Sequence, residues 1–298
     1  GTVAVEGGET VFDYRLRTAL EDRLGQGSGS VLAFVARVDE VQAAHWILKA
    51  AEQELCTPCH GEMSPQAHAS QVTHAPYVKQ PCSTCHAAHG SRQTAMLTKP
   101  AGELCLSCHT SVGLLIAAPH PHAVVARGEC LSCHAPHFTD RAGLLTDEAG
   151  NLCTGCHQEI VGKPGETGVH PPVAGKACLD CHVPHGGDEP ALLNSPPKEV
   201  CLGCHGDVAD SSTMPYTHAP VAEGSCAECH DPHRSQQPKL LVASSPALCL
   251  GCHRDVKETE GAATVHSPSQ GDCMVCHLSH GGQDPTFFRT AVPELCLG

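Results

Sequence analysis

One short motif recurs through most of this chain and limits what the chain can fold into. The pentapeptide Cys-x-x-Cys-His occurs ten times and uses all but one of the 21 cysteines. Motifs of odd and of even order each recur about every 48 residues, so one repeating unit holds two motifs. The motifs begin at Cys56, Cys82, Cys105, Cys130, Cys153, Cys178, Cys201, Cys226, Cys249 and Cys273.

Each motif has the residue types of a covalent haem site. Two thiols add to the vinyl groups of a porphyrin, and the adjacent His becomes the proximal iron ligand. One such motif also fits a zinc knuckle, but ten at regular spacing favour haem. The sequence therefore predicts ten haem c groups with their iron. The predicted attachment residues are Cys56, Cys59, Cys82, Cys85, Cys105, Cys108, Cys130, Cys133, Cys153, Cys156, Cys178, Cys181, Cys201, Cys204, Cys226, Cys229, Cys249, Cys252, Cys273 and Cys276. The predicted proximal ligands are His60, His86, His109, His134, His157, His182, His205, His230, His253 and His277.

Ten further histidines recur at two fixed places in the unit. Connector histidines lie seven or eight residues before each even motif, and trailing histidines lie three residues after each even proximal His. Ten recurrent histidines for ten irons predict bis-His coordination, because none of the four methionines follows the repeat. The predicted distal ligands are His74, His122, His170, His218 and His266 in the connectors, and the trailing His89, His137, His185, His233 and His280.

The spacing also limits which haem a trailing His binds. Three residues apart in a helical turn, the proximal and trailing His lie on the same side of the backbone, whereas one iron needs ligands on opposite faces. The trailing His is therefore expected to bind a different haem, which the sequence leaves open. His45, His68 and His120 are left over and are interpreted as structural or surface residues. The alternative for His45 is a haem of a neighbouring subunit.

Composition defines the expected fold class. Only 3% of the residues are aromatic, while the chain holds 29 Gly and 23 Pro, so porphyrins must replace ordinary core side chains. We expect mostly irregular coil with short α-helices, a repeat array with haems as the core and little or no β-sheet. Five two-haem units are predicted over residues 52–295, with bounds of about 52–101, 102–149, 150–197, 198–245 and 246–295.

The two ends do not follow the repeat. Residues 1–51 contain no Cys and are expected to form a cap or arm, with a helical stripe over 10–24, a strand or helix start at 31–38 and a helix over 41–53. Residues 296–298 match the opening of a sixth unit, and Cys296 lacks the rest of its motif. This suggests a piece of a longer array.

Charge argues against one class of partner, and hydropathy argues against a membrane-spanning segment. A net charge of −14 argues against nucleic acid, which needs a basic face. The longest apolar run, near residues 31–38, is too short for a transmembrane segment.

The order of motifs resembles the doubled C-x-x-C-H motif of multihaem c-type cytochromes. His-x-Pro starts the connector at His74, His170, His218 and His266 but is His-Ala-Val at His122. The trailing His is followed by Gly at His89, His185 and His280, by Phe at His137 and by Arg at His233. These departures put only local turn geometry in doubt. The resemblance implies an extracytoplasmic protein, periplasmic or at the cell surface. Its expected partners are redox proteins or an extracellular electron acceptor. Some proteins that it resembles are subunits of extracellular filaments, so self-assembly into filaments is also implied.

Three functions remain open at this point. The first is an electron conduit without substrate chemistry, since a repeat array brings each unit against its neighbours and leaves little protein between porphyrins. The second is a multihaem oxidoreductase acting on a small nitrogen compound at one open haem, although enough histidines exist to close all ten irons. The third is a passive haem store.

Overall fold

A four-stranded sheet lies at the start of the chain, followed by short helices and turns. The computed structural model describes the strands at 3–6, 9–12, 35–38 and 44–47, and then residues 52–162, 167–257, 264, 266 and 271–297. Two compact units result, one from residues 1–100 with 135–144 and the other from 101–134 with 145–298. The expected class, a repeat array of short helices with much irregular coil, is confirmed.

The N-terminal sheet is antiparallel throughout, in the order β1-β2-β3-β4. Its strands are β1 Val3–Glu6, β2 Glu9–Phe12, β3 Val35–Val38 and β4 Ala44–Ile47. The helix predicted over 41–53 is wrong at β4, because residues 44–47 pair through the backbone with β3, and aromatic and β-branched residue types favour strands. The stripe predicted as helix over 10–24 begins inside β2, and its remainder lies outside the described residues. The segment 31–38 ends as a strand.

The odd motifs lie at the ends of short helices. Each of these helices begins with a brief apolar segment, and two of them have Pro at the first or second position. The chain leaves the helix direction at the proximal His. These helices are α1 Glu52–Cys56, α3 Ala101–Leu106, α6 Ala149–Cys156, α9 Pro197–Leu202 and α12 Ser245–Cys252. Further short helices follow at α4 Thr110–Ile116, α7 Gln158–Val161, α10 Gly206–Ser211 and α13 Arg254–Lys257, and α14 Val292–Leu297 carries Cys296.

Four of the connectors form one helical turn each. The connector His is the N-cap residue with an extended backbone, and a Pro at the first or second helical position suits the turn that follows. This accounts for the His-x-Pro pattern. The connector helices are α2 Ala75–Lys79, α5 Ala123–Ala126, α8 Pro171–Ala174 and α11 Ala219–Glu223.

Each even motif is a 3₁₀ turn followed by a closing loop that returns to it. The turns are Cys82–Thr84, Cys130–Ser132, Cys178–Asp180, Cys226–Glu228 and Cys273–Val275. The loop returns through an isolated bridge to the proximal His, as between His182 and Leu193. Further 3₁₀ turns lie at Gly61–Met63, Pro65–His68, Thr94–Met96, Ala142–Leu144, Pro190–Leu192 and Pro238–Leu240.

Successive units are joined by two-residue antiparallel strand pairs. The segment just after a trailing His pairs with the segment just before the preceding connector His. The pairs are β5 Val72–Thr73 with β7 Phe138–Thr139, β6 His120–Pro121 with β8 Gly186–Gly187, and β9 Tyr216–Thr217 with β10 Gly281–Gly282.

The glycines after two trailing histidines are required by the preceding unit. A Cβ at Gly186 would overlap the carbonyl oxygen of Leu115 in α4, and one at Gly281 would overlap that of Ser211 at the end of α10. Gly186 also has a φ of +155°, which L side chains rarely adopt. In two other units the preceding unit has only 3₁₀ turns or a shorter helix at this position. There the residue after the trailing His carries a side chain, as Phe138 and Arg234 do. The departures from the His-Gly pattern therefore follow the length of the helix one unit earlier.

Replacing Gly186 with Ala is expected to destabilise the haem-loaded protein by about 1–3 kcal/mol, because backbone must move to admit the methyl group. Gly206→Ala is the matched control, since nothing lies within 4 Å of a Cβ at Gly206. That control should be neutral or slightly stabilising. Chemical denaturation of both variants measures the difference, and equal midpoints would contradict the packing.

The described residues have no conventional core. None of their large side chains is fully buried, and Thr139, at 9% exposure, is the buried polar residue among them. Aliphatic side chains such as Leu114, Leu131 and Leu179 are exposed. No helix among the described residues is long and apolar enough to cross a membrane.

Candidate functional site

Among the described residues, seven pairs of histidine rings lie at a nearly constant separation. Four pairs join an even proximal His to the trailing His of the next unit, with ring planes 20–31° apart. Their ring centres are separated by 5.9 Å in His86–His137, 6.0 Å in His134–His185, 5.9 Å in His182–His233 and 6.2 Å in His230–His280.

Three other pairs join a connector His to the odd proximal His of the next unit, with ring planes 17–28° apart. Their ring centres are separated by 6.3 Å in His122–His157, 6.1 Å in His170–His205 and 6.1 Å in His218–His253. Both kinds of pair thus connect two successive units.

These separations fit one metal ion between two axial imidazoles. A nitrogen-to-metal distance of about 2 Å on each side, with about 1 Å from nitrogen to ring centre, spaces the rings by about 6 Å. Rings in van der Waals stacking lie closer, as His68 and Phe138 do at 3.4 Å. The donor set therefore fits a haem iron, whose four equatorial positions belong to the porphyrin.

The even proximal histidines are oriented by the closing loops. Their Nδ1–H groups donate to a backbone carbonyl nine residues later, which makes Nε2 the nitrogen that can bind a metal. The bonds run to Ala95 from His86 (2.8 Å), Ala191 from His182 (2.9 Å), Lys239 from His230 (2.8 Å) and Thr286 from His277 (2.7 Å).

A left-handed residue aims each of these carbonyls. The next residue in the loop has positive φ, from 53° at Met96 to 59° at Leu192. The sequence analysis did not identify this role of the closing loops. The signal was the fixed distance from the even motif to the apolar pair of its closing loop, which recurs in every unit.

Burial favours the neutral form of four trailing histidines. It lowers the pKa of His137, His185, His233 and His280, and the nearby proximal histidines lower it further. A neutral imidazole is the form that binds iron. These four side chains are half-buried, whereas His89 in the first unit is exposed.

The attachment thiols lie next to one another along the chain. Burial first, and then the Cys226 thiol, raises the pKa of Cys201 to about 11. The same causes raise the pKa of the first cysteine of the odd motif in three other units, at Cys56, Cys153 and Cys249, each beside the first cysteine of its unit's even motif.

A second set of thiol neighbours connects successive units. Burial raises the pKa of Cys133, and the Cys156 thiol of the next unit adds to the effect. Burial and an adjacent carboxylate raise the pKa of Cys181, and the Cys204 thiol of the next unit raises it further. The pKa of Cys229 is raised by the same causes, with the Cys252 thiol as the neighbour. Within the second compact unit, neighbouring thiols thus form one series from Cys133 to Cys273.

Not every predicted ligand falls in a ring pair. Within the described part of the chain, His60, His89 and His277 belong to none, although the His277 ring stacks on Phe288 at 4.9 Å. His74 caps α2, His109 precedes α4, and His266 borders segments outside the described residues.

Of the leftover histidines, His68 has a clear structural position. Its ring stacks on Phe138, its Nδ1 contacts Gln71 Oε1 at 2.6 Å, and its Nε2 contacts the Glu62 carbonyl at 2.6 Å. His120 lies in β6 and His45 in β4. The interpretation of His68 as structural agrees with these contacts.

An aromatic cluster that the sequence analysis missed surrounds one ring pair. Tyr77 lies 5.3 Å from the His137 ring and 5.9 Å from Phe138. Among the described residues, the Tyr77 hydroxyl is buried without a hydrogen-bond partner. A buried hydroxyl of this kind indicates a missing acceptor, for which a haem group fits. Tyr77 and Phe138 do not recur at the equivalent positions of the other units. This departure from the repeat is the sequence signal that could have identified them.

Comparison with known families agrees with the geometry. The family described as the doubled CXXCH motif matches residues 74–113, 122–162, 170–210, 218–258 and 266–298. Each match begins at a connector His, includes the even motif and continues into the next unit. Each connector–odd ring pair therefore lies within one match, and each pair of an even proximal His with a trailing His joins two successive matches. Among curated proteins, none matches the chain.

Because the five matches cover more than half of the chain, it belongs to the doubled CXXCH motif family, the multihaem c-type cytochromes. Its cofactor is covalently bound haem c, and its repeated motifs indicate electron transfer.

Proposed function

We propose that this chain is a decahaem electron carrier in which every haem has two His ligands and no substrate is transformed. In the seven ring pairs, the proximal His comes from one unit and the distal His from a neighbouring unit. Haem c supplies the one-electron chemistry when it is bound.

The chain's own residues attach the haem, orient its His ligands and keep small molecules from the iron. Two cysteines of each motif fix the cofactor covalently, and carbonyls such as that of Ala191 hold the proximal ring in the tautomer that presents Nε2. The two imidazoles of each ring pair would hold one haem iron between them and would leave it no open position for a small molecule. His ligands on both sides, without Met, favour low potentials.

The seven ring pairs carry this proposal. The neighbouring thiols from Cys133 to Cys273 agree with it. Each thiol fixes the edge of one cofactor, so adjacent thiols place successive cofactors edge to edge. Close spacing of redox groups supports transfer between them without movement of the protein. An enzyme would instead need one position kept open for substrate.

Location and assembly are further parts of this proposal. Attachment of c-type haem supports a position outside the cytoplasm, either in the periplasm or at the cell surface, in extracytoplasmic or extracellular respiration. A repeat array that contacts mainly its neighbours also supports end-to-end filaments, with redox proteins or an extracellular acceptor as partners. Electron microscopy of the native protein tests filament formation.

The purified protein is expected to carry ten haems by mass spectrometry and to be fully and reversibly reduced without substrate. After reduction under carbon monoxide, the seven haems at the ring pairs should remain low-spin, because both axial positions are filled. Because the proposal gives the other three haems two His ligands as well, none of the ten haems should bind carbon monoxide. Binding at even one haem would contradict the proposed ligation and favour the enzyme.

A further inference from the structure

The connector histidines make a second set of contacts, separate from their ring pairs. While the His122 ring faces His157, its Nδ1–H donates to the Pro184 carbonyl at 2.9 Å. The His122 backbone N–H also donates to the His185 carbonyl at 3.1 Å. His185 is the ring partner of His134, so one connector His touches the sites of two haems.

The arrangement recurs in four units. Each connector Nδ1–H donates to the carbonyl just before a trailing His, over 2.9–3.1 Å, and each connector backbone N–H donates to the carbonyl of that trailing His. The Nδ1–H acceptors are Pro136 for His74, Pro184 for His122, Pro232 for His170 and Ser279 for His218.

Proline suits the acceptor position. It has a fixed φ, which restricts the loop, and no N–H of its own that would need an acceptor there. The sequence has Pro before the trailing His in three of the four units with this bond. In the first unit, whose trailing His89 is exposed, the residue is Ala88.

We propose that each of these four connector histidines is also a positioning residue for a second haem. This inference rests on the proposed bis-His ligation. Through Nε2 the side chain of His122 binds the iron held by His157, and through Nδ1–H it holds the loop that presents His185 to the iron held by His134. A metal-bound imidazole donates more strongly as its metal loses an electron, so the oxidation state of one haem alters the hold on the ligand of the other.

The decisive comparison is between His122→Met and His185→Met in the haem-loaded protein. Methionine keeps a thioether that can bind iron but has no N–H to donate. Both variants keep the backbone bond between residues 122 and 185. Redox titration followed by electron paramagnetic resonance counts the low-spin haem signals that change.

His122→Met is expected to alter two haem signals, one by gaining His/Met ligation at a higher potential and one by losing the hold on its ligand. His185→Met should alter only one signal. Should His122→Met alter a single signal, or His185→Met also alter two, the positioning role is refuted while the ligand pairs stand. If neither variant alters any signal, the ligand assignment itself fails. His170→Met and His233→Met repeat the comparison one unit later, in case the first pair does not fold.

Discussion

Replacing His233 with Ala is expected to open one haem in the middle of the array. The His233 ring lies 5.9 Å from the His182 ring and is half-buried between two units, so no other side chain takes its place at once. The haem held by His182 should change from low-spin to high-spin, and the reduced variant should bind one more carbon monoxide per chain than the wild type. Electron flow past this point should slow, because a ligand change at iron alters its potential.

His120→Ala is the control for that experiment. His120 also lies in a connector, but it is in no ring pair among the described residues, and its contribution to β6 is through the backbone. Its spectrum and carbon monoxide binding should match the wild type. The ring pairs would be contradicted as ligands if His233→Ala bound no additional carbon monoxide, or if the two variants behaved alike.

The repeat predicted most of the architecture, because covalent attachment fixes residue types at fixed spacing. Short helices with much irregular coil were expected from Pro, Gly and the motif spacing, whereas the helical turn in four of the connectors was not. The expectation that a trailing His serves a different haem from its own motif agrees with the ring pairs, in which His185 faces His134 of the preceding unit. Ligation of iron by these histidines stays a prediction, as do the bounds of the five units.

The pairing could not be predicted because it depends on contacts between units. Which ring faces which is set by β6 and β8, two residues each, and by the bond from His122 to Pro184. Neither leaves a hydrophobic period in the sequence. The N-terminal region was harder for another reason: residues 44–47 are compatible with helix alone, and only pairing with β3 makes them a strand.

The choice of Gly, Phe or Arg after a trailing His has the same origin. Gly186 is required by Leu115 of the unit before it, and Phe138 instead covers the His68 ring. Each choice answers a neighbour about 70 residues away in the sequence, so the local motif alone could not explain it.

Without its haems, the chain is expected not to fold. Ordering a backbone costs about 1–2 kcal/mol per residue, which over this length reaches hundreds of kcal/mol. Burial of apolar side chains normally offsets that cost, but aromatic residues are 3% of the sequence and no large side chain among the described residues is fully buried. Porphyrin surface must supply the difference, as metal does in small metal-dependent domains.

Chain produced in cells that lack haem attachment should therefore show no cooperative thermal transition and a far-ultraviolet circular dichroism spectrum typical of coil. The graded control removes one haem only, by Cys178→Ala with Cys181→Ala. Because each unit contacts mainly its neighbours, that variant should keep a transition at a lower temperature. A sigmoidal transition in the haem-free chain would mean that side chains alone make a core. The porphyrins would then not be required for this fold.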